Sequence, residues 1–126
     1  MRKALSIALM ILLSGCASND DKQKQLEMLA SNRASLLSSE LPIEHGPLSI
    51  MRASSSGTTI EIMIIYNDDA PGAISTQRLL NATMSHYCSD EAVRKNMDVG
   101  LTYRLKIRNS RGQLMVDQMI DETQCQ

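Results

Sequence analysis

Thr58-Thr59-Ile60-Glu61-Ile62-Met63-Ile64-Ile65-Tyr66 is the stretch on which the fold turns. Its β-branched and aromatic residues favour a pleated strand. Alternation puts Ile62 and Ile64 on one face and Met63 on the other. Just upstream, Ser54-Ser55-Ser56-Gly57 reads as a loop, and Leu48 to Ser54 alternates weakly as a second strand. The two segments predict an antiparallel hairpin, entered through the turn Gly46-Pro47, with His45 in a loop before that turn.

A similar unit closes the chain. From Leu101 to Asn109 the residues Leu101, Tyr103, Leu105 and Ile107 alternate with Thr102, Arg104, Lys106 and Arg108. Ser110-Arg111-Gly112 turns the chain, and Gln113 to Ile120 returns it. Strict alternation there places Leu114, Val116 and Ile120 inward and Met115 and Met119 on the opposite face. Between the hairpins, Asn67 to Gly72 is a turn region, and a helix is expected from Ile74 to Cys88 with Leu79, Leu80, Thr83, Met84 and Tyr87 inward. Ser89 or Asp90 caps a short second helix carrying Ala92, Val93 and Met97, ended by Gly100. Upstream, Leu26, Ala30, Ala34 and Leu37, with Leu29 and Leu36 beside them, mark an amphipathic helix from Lys22 to Ser39 that stops before Pro42. The fold class is therefore α+β: a small antiparallel sheet of two hairpins, four or five strands, flanked by about three or four helices.

The first residues read as an address. Arg2 and Lys3 precede an apolar run, Ala4 to Leu13, long enough for a secretory signal but too short to span a bilayer. Leu13-Ser14-Gly15-Cys16 then has the pattern of a bacterial lipobox, which makes Cys16 the lipidation site. An ordinary signal peptide cut near Ala17 is the alternative. The reading divides the chain into a signal peptide over 1–15, the lipidated Cys and a short polar tether over 16–21, and one domain over 22–126. Acyl chains on Cys16 would hold the domain at a membrane, since each buried CH₂ contributes about 0.8 kcal/mol. Ala17, where Asp would signal inner-membrane retention, favours the outer membrane, with the domain facing the periplasm.

Composition limits the rest. There is no Trp or Phe, three Tyr and nine Met, so the core must be mainly aliphatic and methionine-rich. The net charge of −1 includes Arg2 and Lys3, and without them it is −3, which argues against nucleic acid as a partner. With Cys16 taken by lipid, Cys88 and Cys125 remain in an oxidising compartment, where a disulfide is expected, two buried free thiols being the alternative.

Catalytic residues are not apparent. His45 and His86 have no nucleophile placed near them by any motif, no serine sits in a G-x-S-x-G turn, and no metal-ligand spacing or phosphate-binding glycine loop occurs. No cofactor beyond the covalent lipid is implied. Two surface features remain. Arg104, Lys106 and Arg108 with Arg111 form a cationic stripe, either a solvated strand face or a contact for anionic lipid or an acidic partner. Met51, Met63, Ile65, Met115 and Met119 suggest a second, softer apolar face of the sheet. It is either covered by the first helix or open as a groove for a partner's helix, with Leu29 and Leu36 forming one wall.

Several segments together resemble a known family. Leu13-Ser14-Gly15-Cys16, Leu41-Pro42-Ile43, Ser55-Ser56-Gly57-Thr58-Thr59, Tyr87-Cys88 and Thr123-Gln124-Cys125 are similar, in that order, to the type II secretion pilotins of the GspS-beta (AspS) type. The resemblance implies a small α/β lipoprotein without enzymatic activity, lipidated at Cys16 and bridged between Cys88 and Cys125. It implies a partner, the C-terminal segment of the secretin subunit, carried to the outer membrane through the lipoprotein sorting machinery. Two other readings compete: a structural or inhibitory periplasmic lipoprotein that binds another envelope protein, and a small hydrolase using His86.

Overall fold

The isoleucine-rich stretch forms β3 (Thr59–Tyr66), with Ile60, Ile62, Ile64 and Tyr66 buried and Thr59, Glu61, Met63 and Ile65 half-buried on the other face. The computed structural model describes residues 17–125. Residues 1–15, expected to be a signal peptide, and Cys16, the expected lipidation site, lie outside them. In chain order the other elements are α1 (Ala17–Ser38), β1 (Ile43–His45), β2 (Leu48–Ser56), α2 (Thr76–Ser89), α3 (Glu91–Asp98), β4 (Thr102–Asn109), β5 (Leu114–Ile120) and a closing 3₁₀ turn, Glu122–Cys125.

The five strands lie in sequence order across one sheet. Both expected hairpins form and are antiparallel, β2 with β3 and β4 with β5. The β2–β3 connection has two residues, with Gly57 at φ +58, the left-handed conformation that primed hairpin turns require. The join between the hairpins differs from the expected antiparallel sheet. β3 and β4 pair in parallel, from Thr59 opposite Thr102 to Tyr66 opposite Asn109, so the sheet is mixed. The cause is the connection: α2 and α3 carry the chain back from the end of β3 to the level of its start, and only a crossover of that kind delivers a parallel neighbour. A further strand, β1, pairs with β2 and includes His45, which the sequence placed in a loop.

Two bulges change which residues face inward. One interrupts β2 between Ile50 and Arg52, leaving Met51 unpaired, so that Arg52 is opposite Met63 on the outer face while Ala53 turns inward opposite Ile62. The other lies where β5 meets Ile107 and Arg108. Leu114 is opposite Arg108 and 49% exposed, while Met115 turns in and packs against the core. Strict alternation had assigned these two residues the reverse way. An unpaired residue shifts the pleat by one, and period-two reasoning then fails beyond it.

All three helices pack on the face carrying Ile60, Ile62, Ile64, Tyr103, Leu105 and Ile107. Ala30 and Ala34, one turn apart, let α1 approach the sheet closely, and the Ser38 hydroxyl donates to the Ala53 carbonyl over 2.7 Å. Leu37 and Leu29 pack against the core, whereas Leu36 is 60% exposed. α1 begins at Ala17, so the residues expected as an extended tether are helical, and the side chains from Asp20 to Gln25 are all exposed. Ser75 caps α2 and Asp90 caps α3, each accepting from a backbone N–H three residues on. Leu79, Thr83 and Tyr87 are the buried residues of α2, and Met97 is that of α3, while Ala92 is exposed.

The three tyrosines are core residues with specific orientations. Ile74 N–H donates to the Tyr66 hydroxyl over 2.8 Å, and Asn96 Nδ2 donates to the Tyr103 hydroxyl over 2.7 Å. Tyr87 meets Tyr103 edge-on, with ring centroids 5.6 Å apart. Burial pushes the hydroxyl pKa of both Tyr87 and Tyr103 up.

Candidate functional site

The sheet has a second face that no helix covers among the described residues. Register places its side chains in successive cross-strand rows. The first row is Ser49, Ile65, Arg108 and Leu114; the second is Arg52, Met63, Lys106 and Asp117; the third is Ser54, Glu61, Arg104 and Met119. Below them the Thr59 and Thr102 hydroxyls share a 2.8 Å hydrogen bond. Each strand alternates, so the same strands that bury isoleucine and leucine beneath the helices send these side chains outward.

Charge is unevenly distributed over the face. Arg104 forks onto Asp117, with Nε to Oδ1 at 2.9 Å and Nη2 to Oδ2 at 2.8 Å. Lys106 Nζ lies 2.9 Å from Glu61 Oε1, which Arg104 also approaches at 3.8 Å. The hydrogen bond from Arg104 holds the Asp117 carboxyl below its ordinary range, and that bond likewise raises Arg104. A cavity of about 220 Å³ is lined by Arg52, Ser54, Glu61, Ile62, Met63, Lys106 and Arg108. A second concavity, about 540 Å³ and polar, is lined by Arg33 of α1 and by Asp90, Glu91, Ala92, Lys95 and Asn96 around α3.

Of the residues expected to line a methionine groove, Met63, Ile65 and Met119 share the open face, and Met51 stands 43% exposed in the β2 bulge. Met115, Leu29 and Leu36 do not join them. Met115 packs inward because of the β5 bulge, Leu29 packs against the core, and α1 with Leu36 lies on the other side of the sheet. The expected helical wall is therefore not part of this face. Cys88 and Cys125 are bonded, with Cα atoms 5.2 Å apart. His86 is exposed on α2, edge-on to Tyr87 at 5.9 Å, and His45 is exposed at the end of β1. No cluster of three or more His, Cys, Asp or Glu suited to a metal occurs among the described residues.

Arg52, Glu61 and Asp117 are the charged members of this face that sequence reasoning missed. Glu61 and Asp117 were legible as polar positions opposite buried ones, and their alternation with Ile60 and Val116 was the available signal. Arg52 was not legible. It has the same parity as Leu48 and Ile50, and only the bulge at Met51 moves it to the other face.

Comparison with known proteins shows what the domain as a whole is similar to. The sequence model of the family described as "Type II secretion system (T2SS) pilotin, S protein" matches residues 22–125. The pilotin EpsS from the Vibrio vulnificus type 2 secretion system is 57% identical, with a TM-score of 0.82 over 86% of this chain and 98% of its own. The type II secretion system pilotin AspS from Vibrio cholerae is 50% identical, with a TM-score of 0.80 over 85% of this chain and 98% of its own. A chain of the cryo-EM structure of the ETEC pilotin–secretin AspS–GspD complex shares the fold, with 23% identity and a TM-score of 0.53 over 78% of this chain and 89% of that one.

Proposed function

We propose, since this chain belongs to the type II secretion system pilotin (S protein) family, that it binds the C-terminal segment of a secretin subunit and directs that subunit to the outer membrane for assembly. The observation that carries the reading is the family match, which spans the whole domain, residues 22–125. A pilotin is not an enzyme and uses no cofactor. It acts in the cell envelope by holding another protein.

The physical task suits the molecule. Residues 1–15 serve as the signal peptide, Cys16 carries the lipid, and the lipoprotein sorting machinery reads the residues that follow. Acyl chains supply the anchor and the domain supplies the grip. A secretin tail that is loosely folded before assembly gains most by folding on an exposed surface that mixes apolar and charged groups. The open sheet face, with Met63, Ile65 and Met119 among cations, is such a surface. It serves as the docking face, and the disulfide and the single core beneath it keep the platform rigid while the ligand orders.

The test is delivery. In cells expressing the cognate secretin, Cys16→Ser is expected to leave secretin out of the outer-membrane fraction, while the soluble variant still co-purifies with the secretin tail. Secretin multimers reaching the outer membrane normally with the Cys16→Ser protein would overturn the piloting role.

A further inference from the structure

The ion pairs of the open face leave one part of it unbalanced. In the second and third rows, Glu61 and Asp117 engage Arg104 and Lys106. Neither Arg52, at the β2 end of the second row, nor Arg108, in the first row, has a carboxylate within ion-pair distance among the described residues. Arg108 makes one bond, from Nη1 to the Gly112 carbonyl at 3.0 Å. Met63 and Ile65 stand between the two arginines, Met63 opposite Arg52 and Ile65 opposite Arg108. The cavity of about 220 Å³ opens at the same place.

We propose that this part of the face recognises an acidic amphipathic helix, with two carboxylates about two turns apart seated on Arg52 and Arg108 and apolar side chains between them resting on Met63 and Ile65. The inference rests on the docking function proposed above and names the chemistry of the segment that docks. Its geometry follows from the register. Arg52 and Arg108 are two strands apart, about 9.6 Å, and one outer-face row apart, about 6.8 Å, which gives a diagonal of about 12 Å. A helix advances about 10.5 Å in seven residues and returns to nearly the same face, so acidic residues at i and i+7 fit the two arginines. Positions i+3 and i+4 of that helix then face the strip between them.

The chemistry of each contact is specific. A guanidinium presents a planar fork that holds a carboxylate through two parallel bonds, which an ammonium cannot do. Methionine adapts its shape to different apolar ligands. A local pair of uncompensated cations on a chain of net charge −1 selects against basic segments at this point.

The experiment uses the full lipidated protein in detergent micelles. Its probes are a synthetic helical peptide of about 18 residues with Glu at i and i+7 and Leu at i+3 and i+4, the same peptide with Lys for Glu, and the secretin C-terminal segment of the same organism. The Glu peptide is expected to bind and the Lys peptide not. Affinity for the Glu peptide and for the secretin segment should fall about tenfold in Arg52→Ser/Arg108→Ser, with an unchanged melting temperature, and fall with rising salt. Arg104→Ser, whose charge is already paired, should change affinity much less. Equal binding of the Glu and Lys peptides would overturn the proposal. Wild-type affinity of the double variant for the secretin segment would overturn it while leaving the docking function standing. Capture of phosphatidylglycerol vesicles through the two arginines, with the Glu peptide ignored, would assign the pair to lipid and overturn it as well. If the Glu peptide binds through both arginines and the secretin segment does not bind at all, recognition of an acidic helix stands and the secretin reading falls.

Discussion

Cys88, near the end of α2, is bonded to Cys125, the last residue of the closing turn, across 37 positions of sequence. The bond fastens that turn to α2. Beside it, Arg94 of α3 donates through Nη1 to the Cys125 carbonyl over 3.2 Å. The turn, α2 and α3 are thus joined at one corner of the domain.

Replacing both cysteines with serine should lower stability by about 2–4 kcal/mol, the usual return for closing a loop of this length. Thermal unfolding of the variant and of the reduced wild type should agree. A variant as stable as the oxidised protein would show the bond to be dispensable.

Met63 and Met115 should respond in opposite ways to truncation. Met115→Ala removes a half-buried contact with the core and should cost about 1–2 kcal/mol. Met63→Ala, on the open face, should change the melting temperature less and weaken binding of the secretin segment at least several-fold. Paired unfolding and titration measurements separate the two. The reverse pattern would place the docking surface elsewhere.

Asp117 should make stability depend on acid. The hydrogen bond from Arg104 lowers its pKa in the folded protein below the unfolded value. Its contribution is therefore present above the ordinary carboxylate pKa of about 3.9 and is lost as pH falls through the folded value. The difference in melting temperature between wild type and Asp117→Asn should be constant from about pH 5 to 8 and shrink below about pH 4.

Tyr87 governs the alkaline side. Burial, followed by the fields of Tyr103 and Asp90, raises its pKa above the usual 10.0. A raised folded pKa means that the contribution is complete below the unfolded pKa and declines as pH climbs from there toward the folded value. Tyr87→Phe keeps the ring and removes the ionisable group. Wild type should lose melting temperature above about pH 10 more steeply than this variant, and parallel curves would contradict the assignment.

Ala17→Asp tests sorting apart from anchoring. The lipid proposed on Cys16 would remain, but the residue after it becomes the one that signals retention in the inner membrane. The pilotin and any bound secretin should then fractionate with that membrane. Unchanged outer-membrane secretin would mean that sorting is read elsewhere.

How much of this was legible in the sequence depended on whether the determining interactions were local. Leu101, Tyr103, Leu105 and Ile107 alternate without interruption, and all four are buried as that pattern requires. Ala30 and Ala34 identified the inner face of α1 for the same reason. The parallel pairing of β3 with β4 was not legible, because it depends on where a crossover of two helices returns the chain. The bulges at Met51 and Met115 were not legible either. Nothing local distinguishes an unpaired residue from a paired one, yet each bulge reassigns its neighbours, which is why Arg52 went unnoticed and Leu114 and Met115 were exchanged. The helical wall of the expected groove failed for a topological reason: the amphipathic pattern of α1 says that one side is buried, not which face of the sheet it covers.

The overhanging start of α1 has a mechanical consequence. From Ala17 to Gln25 the backbone is helical, the side chains from Asp20 to Gln25 are exposed, and Leu26 packs against the core. With the lipid on Cys16, as proposed, the link between bilayer and domain is a spar about 13 Å long rather than a slack leash. Along such a helix, length fixes how far the attachment sits from the core, and phase fixes its bearing relative to the open sheet face. Each residue added to the helix would lengthen it by about 1.5 Å and turn it by about 100°. A lipid attached there would aim the platform as well as hold it.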